Sequence, residues 1–200
     1  MGAENVFIPQ QARLWLAPVG TGAPDGPAAT MPDNWYDIGL FTPDSYNWKT
    51  DPKFEETRAH QSNYAVRRWQ TEDAATIEVN LLEWTLKSFQ AVYGGGTIEK
   101  VTPSGGGAAY YKFTPPAIGT RVEVAACIEL MDGTRKIRRM VPRAQQVEGV
   151  EQSFEKTSAS TLPLRMSVLG GDIGAPYYDM MNGEWAAFTP PTTPPPPETP

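Results

Sequence analysis

The chain of 200 residues holds one cysteine, Cys127, and one histidine, His60. A lone cysteine excludes an internal disulfide and a thiolate metal cluster, and one histidine cannot supply a multi-histidine metal site. Cys127 therefore reads as a small buried hydrophobe. No run approaches the ~20 apolar residues that span a bilayer as a helix, and the start lacks the basic-then-apolar pattern of a secretory leader. Met1-Gly2 would suit acylation, but Val6 stands where Ser or Thr is wanted. Cations are also scarce: 17 Lys and Arg against 23 Asp and Glu give a net charge of −6. Tight nucleic-acid binding needs clustered cations to neutralise phosphates, and such a chain repels DNA at close range. Catalytic signatures are missing as well. There is no Gly-x-Ser-x-Gly, no His-Glu-x-x-His and no calcium loop, and neither Gly94–Gly96 nor Gly105–Gly107 leads into Gly-Lys-Ser/Thr. The acidic pairs Glu55-Glu56 and Glu72-Asp73 have no histidine nearby to form an acid–base dyad. The expectation is no enzyme, no cofactor, no metal and no membrane, in a cytoplasm or a particle assembled there.

What the chain does have is proline and glycine, 20 and 18 residues. That composition favours short strands and turns. Strands are expected at Ala12–Ala17, Trp35–Phe41, Tyr64–Gln70, Ala75–Leu82 and Leu162–Leu169. In the fourth, Ile77, Val79 and Leu81 face one way and Thr76, Glu78 and Asn80 the other, so one face of the sheet is dry and one wet. One helix is expected over Glu83–Tyr93, with Leu82, Leu86, Phe89 and Tyr93 on one stripe and Gly94 as its stop. A hairpin joins Arg121–Met131 to Thr134–Val141 through Asp132-Gly133. That turn sets Glu129 opposite Lys136 and Ile128 opposite Ile137.

Between these elements lie a long exposed loop, Pro18–Asp33, and a charged, aromatic stretch, Pro43–Asn63, flanked by strands as an extended hairpin arm would be. Thr97–Ala109 reads as a glycine-rich connector. Residues 1–11 form an N-terminal arm, 12–171 the domain, and 172–200 an extension whose end, 189–200, is proline-rich and extended. The single basic cluster, Arg135, Lys136, Arg138 and Arg139, reads as strand pairing or a subunit contact in preference to a nucleic-acid contact. The six Trp and eight Tyr suit core and interface anchors better than a sugar groove.

Trp35–Gly95 carries a resemblance. An Asn-Trp-x-Asp-x-Gly strand follows an Ala-Pro-Val-Gly-Thr start and a Pro/Ala-rich loop. A charged arm comes next, then Val-Arg-Arg, Thr-Glu-Asp-Ala, an alternating strand, Leu-Leu-Glu and a short helix ending at Tyr93-Gly94. In this order the block resembles the major tail tube proteins of long-tailed, non-contractile (siphovirus-type) bacteriophages, especially those infecting actinobacteria. The likeness covers Ala12–Gly95 well and Arg121–Gly170 moderately, and residues after Gly171 depart from it. His60 falls where such sequences carry a large aromatic.

The resemblance implies a mainly β fold, a β-sandwich or barrel-like core with one flanking helix. It implies hexameric rings stacked into a hollow tube of the virion tail, assembled in the host cytoplasm, that conducts the genome during ejection. Its partners would be copies of itself, a tape measure protein in the lumen, and tail terminator and distal tail proteins at the ends; DNA would pass without specific binding. On this reading Trp48, Lys49, Phe54, Glu55 and Arg58 are candidates for ring-to-ring contacts. Arg135 and Arg139 are candidates for subunit contacts satisfied by carboxylates of a neighbouring copy, and Glu78 and Asn80 for the lumen. Rival readings are a tail terminator, another ring-forming phage or secretion tube protein, or a carbohydrate-binding β-sandwich.

Overall fold

The computed structural model describes residues 6–152, 154, 156–170 and 174–182. Its elements in chain order are β1 (Gln11–Pro18), β2 (Tyr36–Asp37), β3 (Asn47–Arg58), β4 (Ala65–Leu81), α1 (Leu86–Tyr93), β5 (Thr97–Val101), β6 (Tyr110–Thr114), β7 (Glu123–Asp132), β8 (Arg135–Gln146), β9 (Leu162–Val168) and β10 (Tyr178–Met181). An antiparallel sheet runs β2-β1-β7-β8-β9-β4-β3, with β10 also on β8; β5 and β6 pair separately.

Alternation decides which side chains are dry. Leu14 and Leu16 of β1 and Ala126 and Ile128 of β7 turn to the same core as Ile77, Val79 and Leu81 of β4 and Leu162, Leu164 and Met166 of β9. Each buried Leu, Ile, Val or Met among these contributes about 1.5–3 kcal/mol. The sheet folds over this core at β8, whose one edge carries β10 along Ile137–Met140 and β9 along Ala144–Gln146. Among the described residues the result is the mainly β, sandwich-like architecture with one α-helix that was expected.

Several local expectations change. The strand expected over Trp35–Phe41 is only Tyr36–Asp37, because the segment crosses from one half of the sheet to the other. Ile38 N–H bonds to Leu14 C=O at 3.0 Å, and two residues on Leu40 C=O accepts from Leu82 N–H at 2.8 Å. Gly39 turns the corner with φ 98°, and a Cβ there would lie 2.6 Å from Glu83 Oε2. Tyr64–Gln70 and Ala75–Leu82 merge into one strand of 17 residues.

The helix starts at Leu86, because Thr85 and Ser88 form a reciprocal cap: Thr85 Oγ1 accepts from Ser88 N–H at 3.1 Å and Ser88 Oγ from Thr85 N–H at 3.2 Å. Its fully buried residues are Ser88 and Val92, while Leu86 is exposed and Phe89 and Tyr93 are half-buried. The supposed connector Thr97–Ala109 contains β5. Phe113 of β6 leans on Phe89 and Tyr93, with ring centres 5.6 and 5.4 Å apart.

The β7–β8 hairpin turns at Gly133-Thr134, so Asp132 faces Arg135, Glu129 faces Arg138 and Leu130 faces Ile137. Glycine at the first central position, with φ 60°, suits a primed turn. The register differs by two residues from the expected one, so each side chain keeps its face. Pro18–Asp33 is not a free arm. Pro24 is buried, Trp35 Nε1 donates to Gly22 C=O at 2.9 Å, and Arg138 donates to Gly26 C=O at 2.8 Å. The segment roofs a second small core of Ala17, Trp35, Ala125, Cys127 and Met140. Of the extension after residue 171, Tyr178–Met181 joins the sheet, and the proline-rich 189–200 lies outside the described residues.

Candidate assembly surfaces

The base of the β3–β4 hairpin belongs to the body, because β9 pairs with Thr76–Leu81. Beyond Ala75, among the described residues, only β3 accompanies β4. Residues 51–58 and 60–74 are exposed on both faces of the ribbon, which extends ~25 Å from Asp51 to Arg58. A two-stranded ribbon without a covered face is marginal by itself, so this arm has two faces to offer. The register sets Phe54 opposite Gln70, Glu55 opposite Trp69 and Glu56 opposite Arg68, with irregularities after Lys53 and Thr57. Lys53 meets Glu72 at 2.6 Å. Glu56 accepts from Arg68 Nε at 2.8 Å and lies 3.4 Å from Arg58. The Arg68 bonds hold the Glu56 carboxyl below the usual carboxylate range.

Of the five ring-contact candidates, Phe54, Glu55 and Arg58 lie on this free ribbon, and Phe54 keeps 52% of its surface exposed. Lys49 sits at the base and pairs with Glu78 at 2.9 Å. Trp48, also at the base, is partly covered by its own chain. Its ring packs edge-on to Tyr177, 4.8 Å between centres, and the Arg139 guanidinium carbon lies 4.4 Å from its centre. Tyr46 is half-buried beside them, and burial pushes its phenol up to about 12.

The two subunit-contact candidates find carboxylates in their own chain. Arg139 donates from Nε and from a terminal nitrogen to the two oxygens of Asp179, both at 2.7 Å, and this pairing raises the guanidinium's pKa. Arg135 pairs with Asp132 and donates to Val6 C=O at 2.7 Å. Asp132 also accepts from Ile8 N–H at 3.2 Å, which ties the N-terminal segment to the turn. Sequence reasoning missed Tyr177 and Asp179; the Tyr-Tyr-Asp-Met-Met run at 177–181 was their one local signal.

The lumen candidates Glu78 and Asn80 lie half-buried on the face of β4 opposite Ile77, Val79 and Leu81. On the other face of the β1–β7–β8 layer, Glu129 and Arg138 form a buried ion pair at 2.6 Å, with side chains 6% and 4% exposed.

Among the described residues, no three His, Cys, Asp or Glu side chains are placed to hold a metal ion, and no helix is long and apolar enough to cross a membrane. Cys127 is buried, and burial pushes its thiol up to about 12. His60 is exposed near the tip of the arm. The surface thus offers a two-faced ribbon and strand edges, which are means of joining copies.

A family model described as phage tail tube protein matches residues 1–193. A search of curated proteins gives no match.

Proposed function

Because the chain belongs to the phage tail tube protein family, a structural, non-enzymatic family of the virion tail, we propose that its copies close into hexameric rings that stack into a hollow tube. The tube is of the long-tailed, non-contractile type and conducts the genome during ejection. The observation that carries this reading is the β3–β4 arm, whose residues 60–74 are exposed on both faces, with β3 their one neighbouring strand among the described residues.

Ring closure answers a second need. Among the described residues β3 pairs with β4 alone, so its outer edge is open. Pro52 lies on this strand, where a residue without an N–H is tolerated only at an edge. Open edges invite pairing, and a closed ring removes them through two complementary patches joined head to tail. In this assembly the arm, through Phe54, Glu55 and Arg58, holds one ring to the next. Glu78 and Asn80 face the lumen, where the chain's acidic excess keeps DNA from sticking. Arg135 and Arg139, already held by their own carboxylates, brace the surface that meets the neighbouring subunit. Tape measure protein fills the lumen during assembly in the host cytoplasm, and terminator and distal tail proteins close the ends.

The test is electron microscopy of the purified protein at rising concentration, beside a short-arm variant. That variant replaces Phe54–Thr71 with Asn-Gly, joining Lys53 to its cross-strand partner Glu72. Wild type should give hollow tubes with sixfold end views. The short-arm variant should keep the body's circular dichroism, apart from the lost strand, and give no tubes. A wild-type protein that stays monomeric at high concentration and is absent from virion tails refutes the reading.

A further inference from the structure

At the β2 end of the strand order the sheet has another unfinished edge. Among the described residues β2 pairs only with Trp15 and Leu16 of β1, and after Ile38 the chain turns away at Gly39 toward β4. Among the described residues no strand runs along Gln11–Arg13 on that side. The gap opens into a groove of about 660 Å³ with Gln11 and Ala12 along one wall. Leu40, 67% exposed, stands in it. Asp37, Asp44 and Glu83 line it, with Arg13 as the one cation among the described residues. Two of these carboxylates are fixed by the turn: Asp37 accepts from Gly39 N–H and Glu83 from Leu40 N–H, each at 3.0 Å. One N–H apiece leaves their charge available to a ligand.

The tip of the arm is the complement. From Thr57 to Thr71 the chain has three arginines, Arg58, Arg67 and Arg68, and no carboxylate. Just below, Glu56 is shared by Arg58 and Arg68 and Glu55 adds a second carboxylate, so three arginines stand against two acids and the tip stays positive on an acidic protein. It also presents Tyr64 and Val66, 83% and 64% exposed. Tip and groove lie at the two ends of β4, whose 17 residues span roughly 55 Å. They cannot meet within one copy, whereas two copies in line can bring them together, and the same contact then repeats head to tail.

We propose that this groove is the receptor for the β3–β4 tip of a second copy, with Arg67 against the Asp44 side and Tyr64 over Leu40. The proposal rests on the stacking role of the arm and names the surface that the arm engages.

Cross-linking tests it in the full chain. Leu40→Cys and Tyr64→Cys place thiols at two exposed positions, while the native Cys127 is buried. Mild oxidation of the double variant should give ladders of linked chains in assembled tubes and none in dilute monomer. Charge exchange is the second arm. Asp44→Arg and Arg67→Glu should each raise the concentration needed for tubes roughly tenfold, and together they should return it to near the wild-type value. If Asp44→Arg assembles like wild type while the short-arm variant does not, the tip docks elsewhere and the inference falls with the stacking role intact. If the short-arm variant also assembles normally, both fall. Cross-links that form equally in dilute monomer overturn the contact between copies.

Discussion

Arg139 lies over Trp48 with its guanidinium carbon 4.4 Å from the ring centre, while two of its nitrogens bind Asp179 at 2.7 Å. One side chain thus fastens β10 to β8 and to the foot of the arm. The indole face attracts the cation, and the planar fork matches the carboxylate, a pairing that lysine cannot reproduce.

Removing Arg139 should therefore loosen the foot of the arm from the body. Arg139→Ala should cost about 1–3 kcal/mol in urea unfolding, and Arg139→Lys should recover less than half of it. Equal stability of the lysine variant and wild type would mean that charge alone is at work.

The dry face of β4 and the whole of β9 were legible in the sequence, because Ile77, Val79 and Leu81, and Leu162, Leu164 and Met166, alternate within a few residues of one another. What escaped depends on residues far apart. Nothing near Gly22 and Gly26 says that their carbonyls will meet Trp35 and Arg138, so the exposed loop was read without the bonds that tie it to the body. Arg139 and Trp48 were both picked out, yet for contacts with other copies. Their meeting follows from β3 and β8 sharing one core, which no local pattern encodes. The helix start was missed for a local reason: Thr85 and Ser88 cap each other, where the expected signal is Glu or Gln at the third helical position.

The buried pair Glu129–Arg138 makes a sharper stability prediction. Arg138→Ala leaves a carboxylate in a dry layer and takes the donor from Gly26 C=O. The cost should be about 3 kcal/mol, with Lys136, 3.4 Å from Glu129, holding it at the low end of such losses. The segment 18–33 should become sensitive to protease. Glu129→Leu combined with Arg138→Met should recover more than half of that loss, since two apolar side chains need no ion-pair partner there, while Gly26 C=O and Lys136 stay without theirs. A double variant as unstable as Arg138→Ala would show that the pair does more than satisfy itself.

Acid should loosen the arm through Glu56. Its carboxyl is held below the usual range, chiefly by Arg68. A depressed folded value means that the contribution is complete above the ordinary carboxylate pKa. It fades as pH falls from there through Glu56's own lower value, because the open arm takes up the proton first. Hydrogen-exchange protection of residues 54–69, corrected for intrinsic rates, should drop across that window in wild type. In Glu56→Gln it should already be low at neutral pH and change little. A Glu56→Gln arm as protected as wild type at neutral pH would remove the carboxylate from the account.

The lumen assignment predicts a change in ejection without a change in assembly. Glu78 lies beside Lys49, 2.9 Å away, on the wet face of β4. Glu78→Lys sets an ammonium beside Lys49 and across from Arg165 of β9, where like-charge repulsion costs up to about 1 kcal/mol for each neighbour, so virions should still carry normal tubes. Repeated around every ring, the substitution lines the channel with cations, and phosphates passing them should be held back. DNA release triggered in vitro should slow, and the delay should shrink as salt is added. Adding Lys49→Glu returns the local charge to its original sum with the pair reversed, so release should return toward the wild-type rate. Were the face carrying Glu78 on the outside of the tube, the first substitution would leave release unchanged at every salt concentration, and the lumen would belong to another face of the sheet.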